Sequence, residues 1–188
     1  MDSKLQIISG TYRGRRLALP SGGARPTQNM ARGAIFNMLT GIFEQDQNLT
    51  VWDAFAGSGA LGMEILSRYP KSNAIFTDVS SESLAAVRKN TDGIAANRIR
   101  IVQADAAGEI KRYAADSDLI FVDPPYANPQ MGPDFVAKLA NAVRCGAIVV
   151  QEIEASVPYS VDSVRWEILR DKVYGRARFL ILRRTGNK

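Results

Sequence analysis

The chain has 188 residues, 46% apolar and 23% charged, with a net charge of +5, which suits one domain burying about 70% of the surface of its unfolded chain. It holds a single cysteine, Cys145, and no histidine, which excludes an internal disulfide, a Cys/His metal cluster, a histidine base and a Ser-His-Asp triad. No uncharged apolar run approaches the roughly 18 residues of a membrane span and the N-terminus shows no signal-peptide pattern, so a cytoplasmic protein with no membrane partner is expected.

The charge is concentrated at the front. In residues 1–40, Lys4, Arg13, Arg15, Arg16, Arg25 and Arg32 stand against Asp2 alone, which accounts for the whole net charge. A neutral body with a basic front end points to an anionic partner, a solvated arm being the alternative. Residues 5–19, LQIISGTYRGRRLAL, alternate around a Gly-Thr-Tyr-Arg-Gly turn and predict a hairpin. PSGGARPT is a loop. QNMARGAIFNMLTGIF then carries Met30, Ile35, Met38, Leu39 and Ile42 at helical spacing. A basic extension over residues 1–45 is therefore predicted ahead of a second unit over residues 46–188.

From residue 50 the pattern alternates. The predicted strands are TVWDAFAG, NAIFTDV, IRIVQAD, SDLIFVD and GAIVVQEI; between them the helices are ALGMEILSRY, SESLAAVRKNTDGI, a short one near 107–114, and PDFVAKLANAV. Ser80 or Ser81 suits the N-cap of the second. Five such alternations predict an α/β fold, a parallel sheet covered by helices on both faces. The tail breaks the pattern: VRWEILRDKVYG and RARFLILRR predict a hairpin around Gly175-Arg176, hence an antiparallel edge. Cys145, ahead of Gly-Ala-Ile-Val-Val, reads as a small core residue.

Three features carry chemistry. DAFAGSGALG places Gly57, Gly59 and Gly62 in a G-x-G-x-x-G spacing between a strand and a helix, where the backbone can approach a ligand closely. That spacing alone also fits a nicotinamide enzyme. Asp53 ends the first strand; a carboxylate there would repel a pyrophosphate and suits the ammonium of S-adenosylmethionine, with capping of the following helix or loop as the alternative. Asp78 ends the second strand, where acids bond ribose hydroxyls, and Asp105 ends the third, where it could accept from an adenine amino group with the Ala106 backbone nearby. A strand-end turn or helix cap remains open for both. Phe55, Gly57, Ser58 and Gly59 complete the expected cofactor set.

The fourth strand, LIFV, runs into Asp123-Pro124-Pro125-Tyr126. Proline has no N–H for a ladder, so the strand must stop there. Such a rigid turn suits a planar base with an exocyclic amine. The Asp123 carboxylate and the Pro124 carbonyl would accept its two N–H groups, the Pro124-Pro125 pair would hold that carbonyl still, and Tyr126 would stack on the ring.

That motif resembles the one in amino-methyltransferases acting on exocyclic amines of nucleic-acid bases. With IISGTYRGRRL, RPT, FNML, DAFAGSGALGMEILSR, VQAD, DLIFVDPPY and YGRARFLIL in order, nearly the whole chain resembles the bacterial small-subunit ribosomal RNA guanine-N2 methyltransferase family of type D. The resemblance implies a Rossmann-like class I methyltransferase fold with a mostly parallel seven-stranded sheet. It implies S-adenosylmethionine as cofactor, S-adenosylhomocysteine as product and no metal. The implied substrate is a guanine in 16S ribosomal RNA, either bare or within a 30S subunit, and a monomer is expected. Arg13, Arg15, Arg16, Arg25 and Arg32 are the expected phosphate contacts, with Arg176 or Arg178 as further candidates. The rival activities are DNA adenine-N6 methylation, nicotinamide oxidoreduction and noncatalytic RNA binding.

Overall fold

The computed structural model of the chain describes residues 5–21, 29–44 and 46–186. Helix α1 (Asn29–Leu39) leads into β1 (Thr50–Asp53), α2 (Ala60–Arg68), β2 (Asn73–Asp78), α3 (Ser81–Asn90), β3 (Ile99–Gln103), α4 (Ala106–Tyr113), β4 (Leu119–Val122), α5 (Met131–Leu139), β5 (Ile148–Glu154), β6 (Trp166–Tyr174) and β7 (Ala177–Arg184). The strands form one seven-stranded sheet in the order β3-β2-β1-β4-β5-β7-β6. The first five are parallel; β7 runs antiparallel to both β5 and β6. This is the Rossmann-like class I methyltransferase architecture expected from the sequence. Among the described residues no helix is long and apolar enough to cross a membrane.

The central strands are apolar on both faces because both faces are covered. In β4 all four residues are buried. Ile120 and Val122 share a core with Trp52, Phe135, Val136 and Leu139, while Leu119 and Phe121 pack with Val51, Leu61, Ile65, Ile35 and Leu39 on the other side. Strand order reverses between β1 and β4, and in such sheets ligands bind at the carboxyl ends beside that reversal. Asp53 ends β1 there and Asp123 follows β4. Ser80 caps α3 by accepting from the Ser83 N–H at 3.2 Å.

The front hairpin is reduced to a single antiparallel bridge, Gln6 with Arg16, flanked by Ile7 N–H to Arg15 O and Leu17 N–H to Leu5 O, both 2.9 Å. Its turn is closed by its own backbone bonds, Gly14 N–H to Ile7 O at 2.9 Å and Arg15 N–H to Tyr12 O at 3.0 Å, and also packs against α2. Gly10 has φ +85°, and a Cβ there would fall 2.0 Å from the Ser67 carbonyl oxygen; the next N–H, of Thr11, donates to that oxygen at 2.8 Å. Leu5, Ile7 and Leu17 join Met63, Leu66, Phe76 and Val87 in one core.

One other expectation is corrected. Cys145 is exposed, not a core residue, because the turn at Gly146, with φ +84°, precedes the start of β5 and lifts it off the sheet. The tail hairpin forms as expected, β6 pairing antiparallel with β7, with a bulge between Ile168 and Arg170 on the edge strand.

Candidate active site

The glycine loop is built by the acids around it. Asp53 is 1% exposed, and its Oδ2 accepts the Gly62 N–H at 3.0 Å. A Cβ on Gly62 would lie 2.4 Å from the Phe76 ring, so only glycine lets the helix come this close to the strand. Asp78 uses both oxygens: Oδ2 accepts the Gly57 N–H at 2.8 Å and Oδ1 the Ser80 N–H at 2.9 Å. Gly57 and Gly59 have φ +52° and +75°, the left-handed region that favours glycine. A Cβ at Gly57 would meet nothing within 4 Å, so the loop presents open backbone there. Ser58 is buried, and its carbonyl accepts from Asn90 Nδ2 at 2.8 Å. Phe55 packs edge-on against Phe135, centroids 5.2 Å apart.

Asp105 is exposed and caps α4, accepting the Ala107 N–H at 3.1 Å; Ala106 is buried in the first turn. The neighbouring Ala104 N–H bonds the Asp78 carbonyl at 3.1 Å, which keeps the ends of β2 and β3 on one rim.

Across the strand-order reversal, Pro124 is buried and Pro125 and Tyr126 are exposed. Pro124 is wedged against α5: a Cβ on Gly132 would stand 3.3 Å from its ring. Pro124, Pro125, Tyr126, Asn128, Gly132 and Glu152 line an open surface cleft. The Tyr126 hydroxyl donates to Glu152 Oε1 at 2.5 Å. Burial, then this bond, pushes the tyrosine pKa up from its ordinary value.

Carboxylates dominate this rim. Burial pushes the Asp53 pKa up to about 8 against the pull of the Gly62 N–H, and the charges of Asp123 and Asp78 push the same way. Burial also raises Glu152 to about 8, with the Asp123 charge next in importance. Burial first, and mutual repulsion second, favour the neutral carboxyls here, and a ligand bearing an ammonium and a sulfonium would favour their ionised form. The open glycine backbone and this donor set thus fit S-adenosylmethionine. Among the described residues no group of three or more metal-binding side chains occurs.

A family model described as "Conserved hypothetical protein 95" matches residues 5–183. The ribosomal RNA small subunit methyltransferase D of Escherichia coli is 30% identical over 97% of this chain and 91% of its own. The chain belongs to the small-subunit ribosomal RNA methyltransferase D family. The solved structure of yhhF from Escherichia coli superposes with a TM-score of 0.81 at 29% identity, covering 98% of this chain and 99% of that one. A precorrin-6y C5,15-methyltransferase from Geobacter metallireducens, at 16% identity, shares the fold with a TM-score of 0.63 over 90% of this chain and 94% of its own.

The sequence puts its excess basic residues at the front, and the structure separates them. Arg13 and Arg16 are exposed. Arg15 is half-buried, its guanidinium 5.8 Å from the centroid of the Tyr12 ring and donating to the Asp92 carbonyl. Arg25 lies outside the described residues. Arg32 is corrected: it is fully buried, 4.0 Å from Glu64 and donating to the Gln6 carbonyl. It sits inward because α1 turns that face onto α2, so it holds the fold together rather than facing solvent. Arg176 pairs with Glu154 at 2.6 Å and Arg178 with Asp171 at 2.7 Å.

Sequence reasoning missed Glu152 and Asn90. Glu152 had a signal: Gln151-Glu152 interrupts an apolar run in a central strand, where a buried acid is costly unless bonded. Asn90 had none. It accepts from the Ala18 N–H at 2.7 Å and donates to the carbonyls of Ala18 and Ser58, tying the front segment to the glycine loop.

Proposed function

We propose that the chain transfers a methyl group from S-adenosylmethionine to the exocyclic N2 of a guanine in 16S ribosomal RNA. The observation that carries this reading is the rigid Asp123-Pro124-Pro125-Tyr126 turn standing across the strand-order reversal from the open Gly57 loop. Similarity to the Escherichia coli methyltransferase over nearly the full chain supports the RNA class.

When bound, S-adenosylmethionine supplies an activated methyl on a sulfonium. Asp53 would offset the charge of its ammonium end, Asp78 its ribose and Asp105 its adenine amine, with Phe55, Gly57, Ser58, Gly59 and Ala106 forming the walls. The Asp123 carboxylate and Pro124 carbonyl accept from the guanine amine and orient its lone pair. The exposed ring of Tyr126 stacks on the base while its hydroxyl stays anchored. Asp123 would be placed to take the proton that the exocyclic nitrogen sheds when it gains the methyl group. Positioning of this kind supplies much of a barrier reduction without a covalent enzyme intermediate.

Two expected results follow from the division of labour. Asp78→Ala removes a charged acceptor, whose hydrogen bonds are worth about 1.5–3 kcal/mol, so S-adenosylhomocysteine affinity should fall about tenfold to a hundredfold by calorimetry. Unchanged affinity would remove Asp78 from the site. Arg13, Arg15 and Arg16 replaced together by Gln should weaken RNA binding, and each lost phosphate contact should flatten the log–log salt dependence by about 0.7 to 0.9. A folded triple variant with wild-type affinity and slope would take the front segment out of RNA docking.

The function itself is tested by measuring binding of S-adenosylhomocysteine against NADH, then transfer of a methyl label to bare RNA, assembled small subunits and duplex DNA. Binding of S-adenosylhomocysteine and label in RNA or subunits is expected. Binding of NADH alone, or label confined to DNA, would overturn the reading.

A further inference from the structure

We propose that Glu152 is a positioning residue for methyl transfer: in its protonated form it donates to the Asp123 carboxylate while accepting from the Tyr126 hydroxyl, so that one side chain fixes both groups meeting the base. This inference rests on the proposed guanine methylation and deepens it.

The geometry is specific. Glu152 is 9% exposed near the carboxyl end of β5 and lines the same cleft as Pro124, Pro125 and Tyr126. Its Oε1 receives the Tyr126 hydroxyl at 2.5 Å, its Oε2 is buried without a hydrogen-bond partner among the described residues, and the Asp123 carboxylate is close enough to act on its charge. Two neighbouring buried carboxylates repel when both are ionised, so a shared proton is favoured, and the partnerless Oε2 is the atom placed to carry it. With that proton on Glu152, Asp123 keeps the negative charge needed to accept from an amine. The Tyr126 phenol is aimed at the other end of the same carboxyl group, so its ring cannot swing away from the cleft without breaking that bond.

Two carboxyl groups of this rim are raised to about 8, Asp53 and Glu152, and Glu152 is the one bonded to Tyr126. From the turn after β4 it faces Asp123 and Tyr126, and Asp123 in turn faces Asp53. On its own strand Glu154 is paired with Arg176. Its partner across β7 is the apolar Phe179; the next residue there, Arg178, is paired with Asp171. Helix α5 brings Gly132 to the cleft. Burial and the Asp123 charge put loss of the Glu152 proton near pH 8. Above that pH the two carboxylates repel, and transfer should slow.

The test compares wild type, Glu152→Gln and Glu152→Ala at saturating S-adenosylmethionine, measuring kcat and KM for the RNA from pH 6 to 10. The amide of Gln can accept from Tyr126 and donate to Asp123 at every pH, so it imitates protonated Glu152. Glu152→Gln should keep wild-type kcat at neutral pH and lose the decline near pH 8, whereas Glu152→Ala should lose about a hundredfold in kcat, the scale of a small misplacement of reacting groups, with little change in KM. A limb belonging to the base would persist in the Gln variant. A decline near pH 8 that persists in Glu152→Gln, or wild-type kcat in Glu152→Ala, would overturn the inference. Carboxyl-carbon NMR of the free protein reads the same point without turnover: a Glu resonance titrating near pH 8 should vanish in Glu152→Gln, and its absence from wild type would overturn the inference as well. Failure of wild-type protein to label RNA at all is a separate outcome and overturns the function on which this rests.

Discussion

Asp123→Ala should reduce methyl transfer about a thousandfold, the upper range for loss of one prepositioned electrostatic group, while S-adenosylhomocysteine affinity stays at the wild-type value. The two effects separate because of where the acids stand. Asp123 follows β4, in the turn that meets the base; Asp78 holds the Gly57 N–H on the other side of the strand-order reversal. Removing Asp123 also lifts one repulsive neighbour from Asp53, whose carboxyl is raised chiefly by burial and further by that charge, so cofactor binding has no reason to weaken. If affinity collapsed along with turnover, Asp123 would be a structural residue and the roles assigned to the rim would be wrong.

Glu64→Ala should destabilise the protein by about 3–5 kcal/mol, the cost of breaking a buried charge pair by removing one partner, which lowers Tm by about 10 °C in a chain of this size. Glu64 is fully buried on α2 and serves four groups at once. It accepts the Ile8 N–H at 2.8 Å, the Ser9 N–H at 3.0 Å and Arg68 Nε at 2.8 Å, and it balances the fully buried Arg32. Its loss strands a buried guanidinium without the Glu64 charge and two N–H groups without their acceptor. Arg68, in turn, lies over the Phe36 ring, 4.8 Å from its centroid, so the disturbance spreads from α2 to α1. A melting curve within 2–3 °C of wild type, about 1 kcal/mol, would show that this cluster does not clamp the front segment to the sheet domain.

The sheet was legible because its signals are local: apolar runs of strand length ending in acids, alternating with helical periodicity, and a tail that switches to two strand-like runs without a helix between them. The positions of Asp53, Asp78 and Asp123 on one rim followed from that alternation alone. What escaped depends on contacts distant in sequence. Arg32 looked like part of a basic arm, yet its burial is decided by Glu64 and by the Gln6 carbonyl, neither of which its own helix announces. Glu152 becomes meaningful only once β5 lies beside β4 and brings it to Tyr126, 26 residues away. Asn90 binds Ala18 across 72 residues, and no periodicity encodes such a bond. Cys145 failed for a different reason: an apolar neighbourhood in sequence surrounded a turn that Gly146 throws outward.

The measurement that bears most directly on the central claim is the identity of the methylated nucleoside. Small-subunit RNA labelled by the purified protein with methyl-labelled S-adenosylmethionine should be digested to nucleosides and resolved by chromatography and mass spectrometry. N2-methylguanosine as the labelled product, lost in Asp123→Ala, is the predicted result. Label in N6-methyladenosine, or in any nucleoside not modified at an exocyclic amine, would contradict it.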